Sequence, residues 1–270
     1  MMKNYKRVLT IAGSDPSGGA GIQADLKTFS ACGCFGTSAI VAVVDENTVG
    51  VTGVHPVPVD FVIGQIRSVL DDIGADAIKI GMLHSSELIR AVKDTLSVYD
   101  IKNIVLDPVM VATSGDKLLQ DEAIETLKNE LIPFARIITP NIPEAEMLLG
   151  RTIDCRDDMP KVIRELSVNG NISVFLKGAH LKGDLLTDVL YNAETDEVIT
   201  VAYGRIQTKN THGTGCTLSS AIAAFLAHGL SLNDAVRQAK DYINSAILAG
   251  AGYKIGKGHG PVHHFFKFWE

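Results

Sequence analysis

Apolar segments of strand length alternate along this chain with segments of helical periodicity, and this alternation constrains the fold more than any other feature. Parallel strands need long crossover connections, usually helices, so a regular order of strands and helices predicts a mostly parallel sheet covered on both faces. We predict its strands at 8–13, 38–44, 77–81, 103–107, 136–140 and 172–178.

The segments between these strands repeat their apolar residues at helical spacing. Two long helices are expected near the end of the chain, separated by Gly229 and by Ser231, which suits a helix cap. We predict helices at 20–32, 60–73, 85–98, 121–131, 143–149, 157–169, 214–229 and 232–250.

The pattern changes after residue 178, where shorter strands are predicted at 187–193 and 197–203 with a polar turn between them. Two strands joined by so short a turn form an antiparallel hairpin, which we place at the edge of the sheet. No internal repeat or low-complexity linker divides the chain, and α/β folds of this length are commonly one unit. The sequence therefore predicts a single domain over 1–270.

Charge and composition exclude several classes of protein. The formal net charge of −6 offers no clustered basic face for nucleic acid. The apolar start of the chain at 8–13 is too short for a membrane span or a signal segment, so no membrane partner is expected. The 4 cysteines show neither metal-binding nor redox spacing, which favours the cytoplasm.

A glycine-rich segment at 210–225 is the strongest candidate for a functional site. Gly213 and Gly215 flank the predicted start of an apolar helix, where free backbone N–H groups bind anions. Thr214 alone would suffice as a helix cap, so two glycines exceed what capping requires. A second glycine-rich turn at 13–21 follows the first strand, but it lacks the lysine pattern of a P-loop.

Cys216 lies in the first turn of that predicted helix. The helix dipole and a neighbouring lysine would lower the pKa of its thiol and let it accept or donate a proton. The alternative is a small residue that packs the start of the helix. The residues alone leave both interpretations open.

Asn141 and Glu144 follow another predicted strand, at the edge where an open α/β sheet binds ligands. An amide and a carboxylate there can hold a hydrated Mg²⁺ beside phosphates. The alternative is that Asn141 caps the next helix and Glu144 stabilises its first turn. Spacing alone favours this structural account.

Other charged side chains end or interrupt the predicted strands. Lys177 and Asp107 each follow a strand, while Lys79 lies inside an apolar one and is hard to explain as a solvated lysine. Lys240 on the last helix is a further cationic candidate. The histidines near the end of the chain, including His212, lack metal-type spacing, which favours a structural role or one at the edge of a ligand.

Six segments together, at 13–29, 79–83, 106–110, 138–146, 208–219 and 256–265, closely resemble the bacterial hydroxymethylpyrimidine/phosphomethylpyrimidine kinases of the ribokinase-like superfamily. The resemblance covers nearly the whole chain, in order. It implies a three-layer α/β/α sandwich with a mostly parallel central sheet and an antiparallel edge hairpin. Gly-Thr-Gly-Cys at 213–216, in place of the Gly-x-Gly-Asp of the sugar kinases, favours the pyrimidine and pyridoxal branch.

The resemblance implies that the γ-phosphoryl group of ATP passes to 4-amino-5-hydroxymethyl-2-methylpyrimidine, and that its monophosphate is then phosphorylated, as in thiamine biosynthesis. It also implies Mg²⁺ and a homodimer. A pyridoxal or pyridoxine kinase is the nearest alternative, and a non-catalytic sensor of vitamin precursors is a more distant one.

The resemblance also assigns roles to individual residues. Residues 213–216 form an anion hole in which Cys216 lies near the attacking hydroxyl. Asn141 and Glu144 organise Mg²⁺ and phosphate, with the Mg²⁺ held through water. The pyrimidine site is lined by Gly13, Asp25, Glu46, Met82 and Val109. The nucleotide site takes Asp107, Asn141, Glu144, Lys177 and Lys240.

Glu46 departs from the family pattern, which has a glutamine at this position. A glutamine amide can accept a hydrogen bond from the substrate amino group and donate one to the adjacent ring nitrogen, whereas an ionised carboxylate only accepts. Paired bonding therefore requires a proton on the ring nitrogen or on Glu46. The alternative is that Glu46 points elsewhere or bonds through water.

Overall fold

The computed structural model describes residues 3–110, 119, 121–153, 155–179 and 184–269. The strands found there are β1 (Arg7–Ala12), β2 (Phe35–Ile40), β3 (Ala42–Asn47), β4 (Gly50–Pro56), β5 (Ala77–Ile80), β6 (Ile104–Leu106), β7 (Ile137–Ile138), β8 (Ser173–Leu176), β9 (Leu185–Asn192) and β10 (Glu197–Gly204).

The α-helices in the same residues are α1 (Gly21–Ala31), α2 (Val59–Asp72), α3 (Ser86–Leu96), α4 (Asp121–Thr126), α5 (Ile142–Leu149), α6 (Met159–Leu166), α7 (Thr214–Ala227) and α8 (Leu232–Gly250). The predicted helix 121–131 is only partly α-helical, because a π-helical turn at Leu127–Leu131 and a 3₁₀ turn at Ile132–Phe134 follow α4. None of these helices is long and apolar enough to cross a membrane.

Eight strands form the central sheet in the order β10-β9-β8-β7-β6-β5-β1-β2. Every neighbouring pair from β2 to β8 is parallel, while β9 pairs antiparallel with β8 and with β10. The predicted parallel sheet and its antiparallel edge hairpin are therefore confirmed. Because the parallel strands run the same way, their carboxyl ends meet at one edge.

Alternate residues of each strand face opposite sides of the sheet, and both sides are apolar. Leu9 of β1 packs in a core with α2 to α6, while the adjacent Val8 packs in a second core with α1, α7 and α8. Burying both faces explains why the strands are continuous apolar runs rather than alternating ones. The layers are helix, sheet and helix, as predicted.

The predicted strand at 38–44 is wrong, because the chain leaves the sheet in the middle of it. β2 ends at Ile40, and β3 begins at Ala42 and pairs with β4 in a separate antiparallel hairpin with an irregular register between Asp45 and Glu46. Strand β4 was not predicted, and its residues are mostly exposed and include glycine and proline. This hairpin carries Glu46 to the site described next.

Candidate active site

The residues that follow the parallel strands surround one cavity of about 690 Å³. The predicted site residues that line it are Gly13, Glu46, Met82, Asp107, Val109, Asn141, Glu144, Lys177, Gly213, Thr214, Gly215, Cys216 and Lys240. Ligands of open α/β sheets bind beyond the carboxyl ends of the strands, and this cavity has that position.

The start of α7 forms one wall of the cavity. Gly213 caps the helix in a left-handed conformation (φ 75°) and lies so close to the glycine-rich turn that a Cβ there would be 1.7 Å from the carbonyl oxygen of Gly19. The backbone N–H groups of Gly215 and Cys216 have no acceptor among the described residues. They are therefore available to an anion in the cavity.

Lys177 brings a positive charge to the same place. Its Nζ atom would lie 3.4 Å from a Cβ on Gly215, and it is 3.0 Å from Oδ1 of Asp107 and 4.0 Å from Oε2 of Glu144. Burial opposes ionisation of Asp107, but the charges of Lys177 and Lys79 hold the pKa of its carboxyl below the usual range. The site therefore combines an ammonium group, an ionised carboxylate and the positive end of a helix.

Asn141 and Glu144 form a complete capping box at the start of α5. Oδ1 of Asn141 accepts from the Glu144 N–H at 2.9 Å, and Oε2 of Glu144 accepts from the Asn141 N–H at 2.7 Å. The structural account of these residues is thus confirmed. Burial raises the pKa of Glu144 to about 7, which the attraction of Lys177 only partly offsets.

Glu144, together with Asp107, also fits a hydrated Mg²⁺, whereas Oδ1 of Asn141 is used by the capping box. The capping box uses one oxygen of the Glu144 carboxylate, so the other is free of it, and the Asp107 carboxylate is paired with the nearby Lys177. Carboxylates such as these two, in the wall of the cavity, are oxygen ligands of the kind that Mg²⁺ uses together with its waters.

Cys216 lies in the cavity wall, but its thiol does not have the expected acidity. Burial raises the pKa of Cys216 to about 11, although the Lys79 charge and a backbone hydrogen bond from Gly21 act in the opposite direction. Burial outweighs the Lys79 charge, and the buried carboxylates of Asp25 and Asp107 also disfavour a thiolate. The prediction of a lowered pKa is wrong.

Asp25 does not line the cavity, in contrast to the role that the resemblance implied. It is fully buried on α1, where Oδ2 lies 2.9 Å from Nζ of the fully buried Lys79. Thr10 and Ser220 donate further hydrogen bonds to its carboxylate. Asp25 instead neutralises Lys79, which itself reaches the cavity wall and explains the lysine in an apolar strand.

Lys240 reaches the cavity from α8 and is paired with Asp188 of β9. The carboxylate of Asp188 also accepts a hydrogen bond of 2.8 Å from the backbone N–H of Gly178. Asp188 was not among the predicted site residues, although a carboxylate amid the apolar residues of a predicted strand was a usable signal. The pair neutralises the Lys240 charge without a ligand.

Asp15 and His212 form a second pair, beside Glu46. Nε2 of His212 lies 2.8 Å from Oδ2 of Asp15, and both side chains are buried in the cavity wall. Burial opposes the charges, but the bonds between the two raise the pKa of His212 and lower that of Asp15. The expected place of His212 at the edge of a ligand site agrees with this geometry, whereas Asp15 was missed.

Comparison with known proteins supplies the family. The model of the family described as phosphomethylpyrimidine kinase matches residues 15–263. A hydroxymethylpyrimidine/phosphomethylpyrimidine kinase of Rhizobium meliloti (strain 1021) is 48% identical over 97% of this chain and 98% of its own.

Two solved structures have the same fold. The phosphomethylpyrimidine kinase of Clostridium difficile 630 superposes with a TM-score of 0.78 at 46% identity, covering 89% of this chain and 99% of its own. An ADP complex of Bacillus subtilis pyridoxal kinase superposes with a TM-score of 0.88 at 37% identity, covering 97% of this chain and 98% of its own. The ribokinase-like α/β fold is thus confirmed, and the chain belongs to the phosphomethylpyrimidine kinase family.

Proposed function

We propose that this protein transfers the γ-phosphoryl group of ATP to the hydroxymethyl group of 4-amino-5-hydroxymethyl-2-methylpyrimidine, and then phosphorylates the resulting monophosphate. The observation that carries this proposal is the start of α7, where Gly215 and Cys216 line the same cavity as Lys177 and their N–H groups have no acceptor among the described residues. Relatives named for these two activities are similar over nearly the full length of the chain.

Phosphoryl transfer depends mainly on positioning and on stabilising the charge that spreads over the transferred group. The N–H groups at the start of α7 and the Lys177 ammonium supply donors and positive charge for that purpose. Bound Mg²⁺ would neutralise phosphate charge beside Asp107 and Glu144. The Lys177 ammonium would then interact less with these carboxylates and more with the phosphate.

Cys216 acts in this proposal as a neutral thiol. With a pKa of about 11 it remains protonated near neutral pH, so it positions the attacking hydroxyl instead of removing its proton. A loose transition state places little demand on a strong base at the nucleophile, since bond formation lags behind departure of the leaving group.

The test is a product assay with Mg·ATP and either the pyrimidine alcohol or pyridoxal as acceptor. We expect successive formation of the pyrimidine monophosphate and diphosphate. The superposition with a pyridoxal kinase makes pyridoxal the necessary competitor. Turnover of pyridoxal without turnover of the pyrimidine, by folded protein, would contradict the proposal, and so would hydrolysis of ATP without any phosphorylated acceptor.

We further propose that residues 1–270 form one domain, that the protein works in the cytoplasm, where ATP is available, and that it forms a homodimer. Exposed apolar residues on the β3-β4 hairpin, Val43, Val49 and Val54, support a self-association surface. Light scattering after size-exclusion chromatography tests the dimer, because a mass near 28.9 kDa at all concentrations would contradict it.

A further inference from the structure

Residues 256–260, near the end of the chain, form a segment that we call the glycine strap. It belongs to one of the six segments that carry the family resemblance, and glycine occupies every second position in it, beginning at Gly256. None of its residues, all of which the structure describes, lines the cavity. Any effect of the strap on a ligand must therefore pass through the elements that it touches.

One end of the strap holds the tip of the β3-β4 hairpin. Thr48 lies in the turn between the two strands, and its hydroxyl accepts hydrogen bonds of 3.2 Å from the backbone N–H groups of Lys257 and Gly258. Its carbonyl oxygen accepts a third bond, of 2.8 Å, from the N–H group of His259. A Cβ on Gly258 would lie 1.9 Å from that carbonyl oxygen, so this close approach requires glycine.

The other end of the strap is bonded to the loop before α7. The carbonyl oxygen of Gly260 accepts a hydrogen bond of 3.0 Å from the N–H group of His212, which directly precedes the Gly213 cap of the helix. A Cβ on Gly260 would lie 2.2 Å from Oδ1 of Asn210. Asn210 is itself fixed, because its amide donates to two backbone carbonyl oxygens at and just after the end of α8. The strap thus joins the hairpin tip to the start of α7.

The hairpin depends on such attachments, because a two-stranded hairpin alone is at best marginally stable in water. Its base is held by Ser14, whose N–H group donates to the carbonyl oxygen of Ala42 at 2.9 Å and whose hydroxyl accepts from the N–H group of Val44 at 3.1 Å. Val51 and Val54 of β4 line the cavity beyond this base. Release of the tip would therefore leave part of the cavity wall without support.

We propose that the glycine strap fixes the acceptor side of the cavity by fastening the hairpin tip to the loop before α7, with Thr48 and Gly258 as positioning residues. This inference rests on the proposed function. The valine side chains of the hairpin suit a neutral heterocycle, whereas Lys177 and Lys240, which suit phosphates, reach the cavity from other elements. Loosening the strap should therefore weaken binding of the acceptor more than binding of ATP.

Gly258→Ala is the first test, measured by steady-state kinetics with the pyrimidine alcohol and Mg·ATP. Its Cβ must move about 1 Å away from the Thr48 carbonyl oxygen to reach an ordinary contact, which separates the strap from the tip. We expect the KM for the acceptor to rise about tenfold or more and the KM for ATP to change less than about twofold. Gly252→Ala is the matched control, since no atom lies within 4 Å of its Cβ position, and it should behave as the parent.

Thr48→Val tests the same attachment without adding an atom to the strap, and it serves also if Gly258→Ala does not fold. Loss of the hydroxyl removes two hydrogen bonds, so the KM for the acceptor should rise roughly five- to tenfold. Thr48→Ser retains the hydroxyl and should restore the parent value. Thr52→Val, whose hydroxyl bonds within the hairpin to the Asp45 carbonyl oxygen, should leave the acceptor KM unchanged.

Hydrogen–deuterium exchange of the unliganded proteins, followed by mass spectrometry, tests the attachment without turnover. Backbone amides at 42–56 should exchange about tenfold faster in Gly258→Ala and Thr48→Val than in the parent, while those of β5 keep the parent rate. Unchanged exchange in the hairpin, or KM values for acceptor and ATP that rise equally or not at all, would overturn the inference. A parent protein that phosphorylates no pyrimidine would overturn the proposed function instead, and the exchange rates would still decide whether the strap holds the hairpin.

Discussion

Replacing Gly213 by alanine tests whether the contact between the two glycine-rich loops positions the start of α7. The new Cβ would lie 1.7 Å from the carbonyl oxygen of Gly19 and 2.6 Å from its carbonyl carbon, whereas real Cβ contacts stay above 3.0 Å. The loops must therefore separate by about 1 Å, a displacement that can reduce turnover roughly 10²-fold. A left-handed alanine adds about 1–2 kcal/mol of strain.

Gly229→Ala separates these two effects. Gly229 lies just beyond the other end of α7 with φ 88°, but no atom lies within 4 Å of its Cβ position. We expect a similar loss of about 1–2 kcal/mol in the free energy of unfolding from backbone strain, with nearly unchanged turnover. Denaturant unfolding and steady-state kinetics measure both quantities. Turnover of folded Gly213→Ala within a few-fold of Gly229→Ala would refute the positioning argument.

Three further predictions concern buried charges and the thiol. Lys79→Met should lower the free energy of unfolding by about 3–5 kcal/mol in denaturant titrations, because it leaves the buried Asp25 carboxylate without its partner. Arg151→Met breaks an exposed pair with Glu165 and should lower the same free energy by less than about 1 kcal/mol; equal losses in the two variants would contradict the prediction. Because the pKa of Glu144 is raised from 4.5 to about 7 on folding, the parent should lose stability relative to Glu144→Gln as pH rises between those values, and a constant difference would contradict the assignment. Iodoacetamide at about pH 8 should modify the exposed Cys155 well before Cys216, because a pKa of about 11 leaves little of the Cys216 thiol ionised. Peptide mass spectrometry measures both rates, and faster modification of Cys216 would show that its thiol is acidic.

Most of the sheet could be predicted from local pattern, because strands buried on both faces are continuous apolar runs and their order with helices dictates parallel pairing. The hairpin of β3 and β4 could not. The residues of β4 are largely exposed, so no periodic burial marks that strand. An uninterrupted apolar run hid the point at which the chain leaves the sheet after Ile40 and begins β3.

Motifs in the sequence determined the family, the sheet with its edge hairpin, and the residues that follow the parallel strands, since topology alone sends those residues to one edge. Only the tertiary structure decided what each charge meets. Asp25 was expected beside the ligand but instead neutralises the buried Lys79, and the Cys216 thiol is less acidic than expected because burial outweighs the Lys79 charge. Ionisation depends on the distance to charges remote in sequence and on exclusion of water, and neither is encoded in the spacing of a motif.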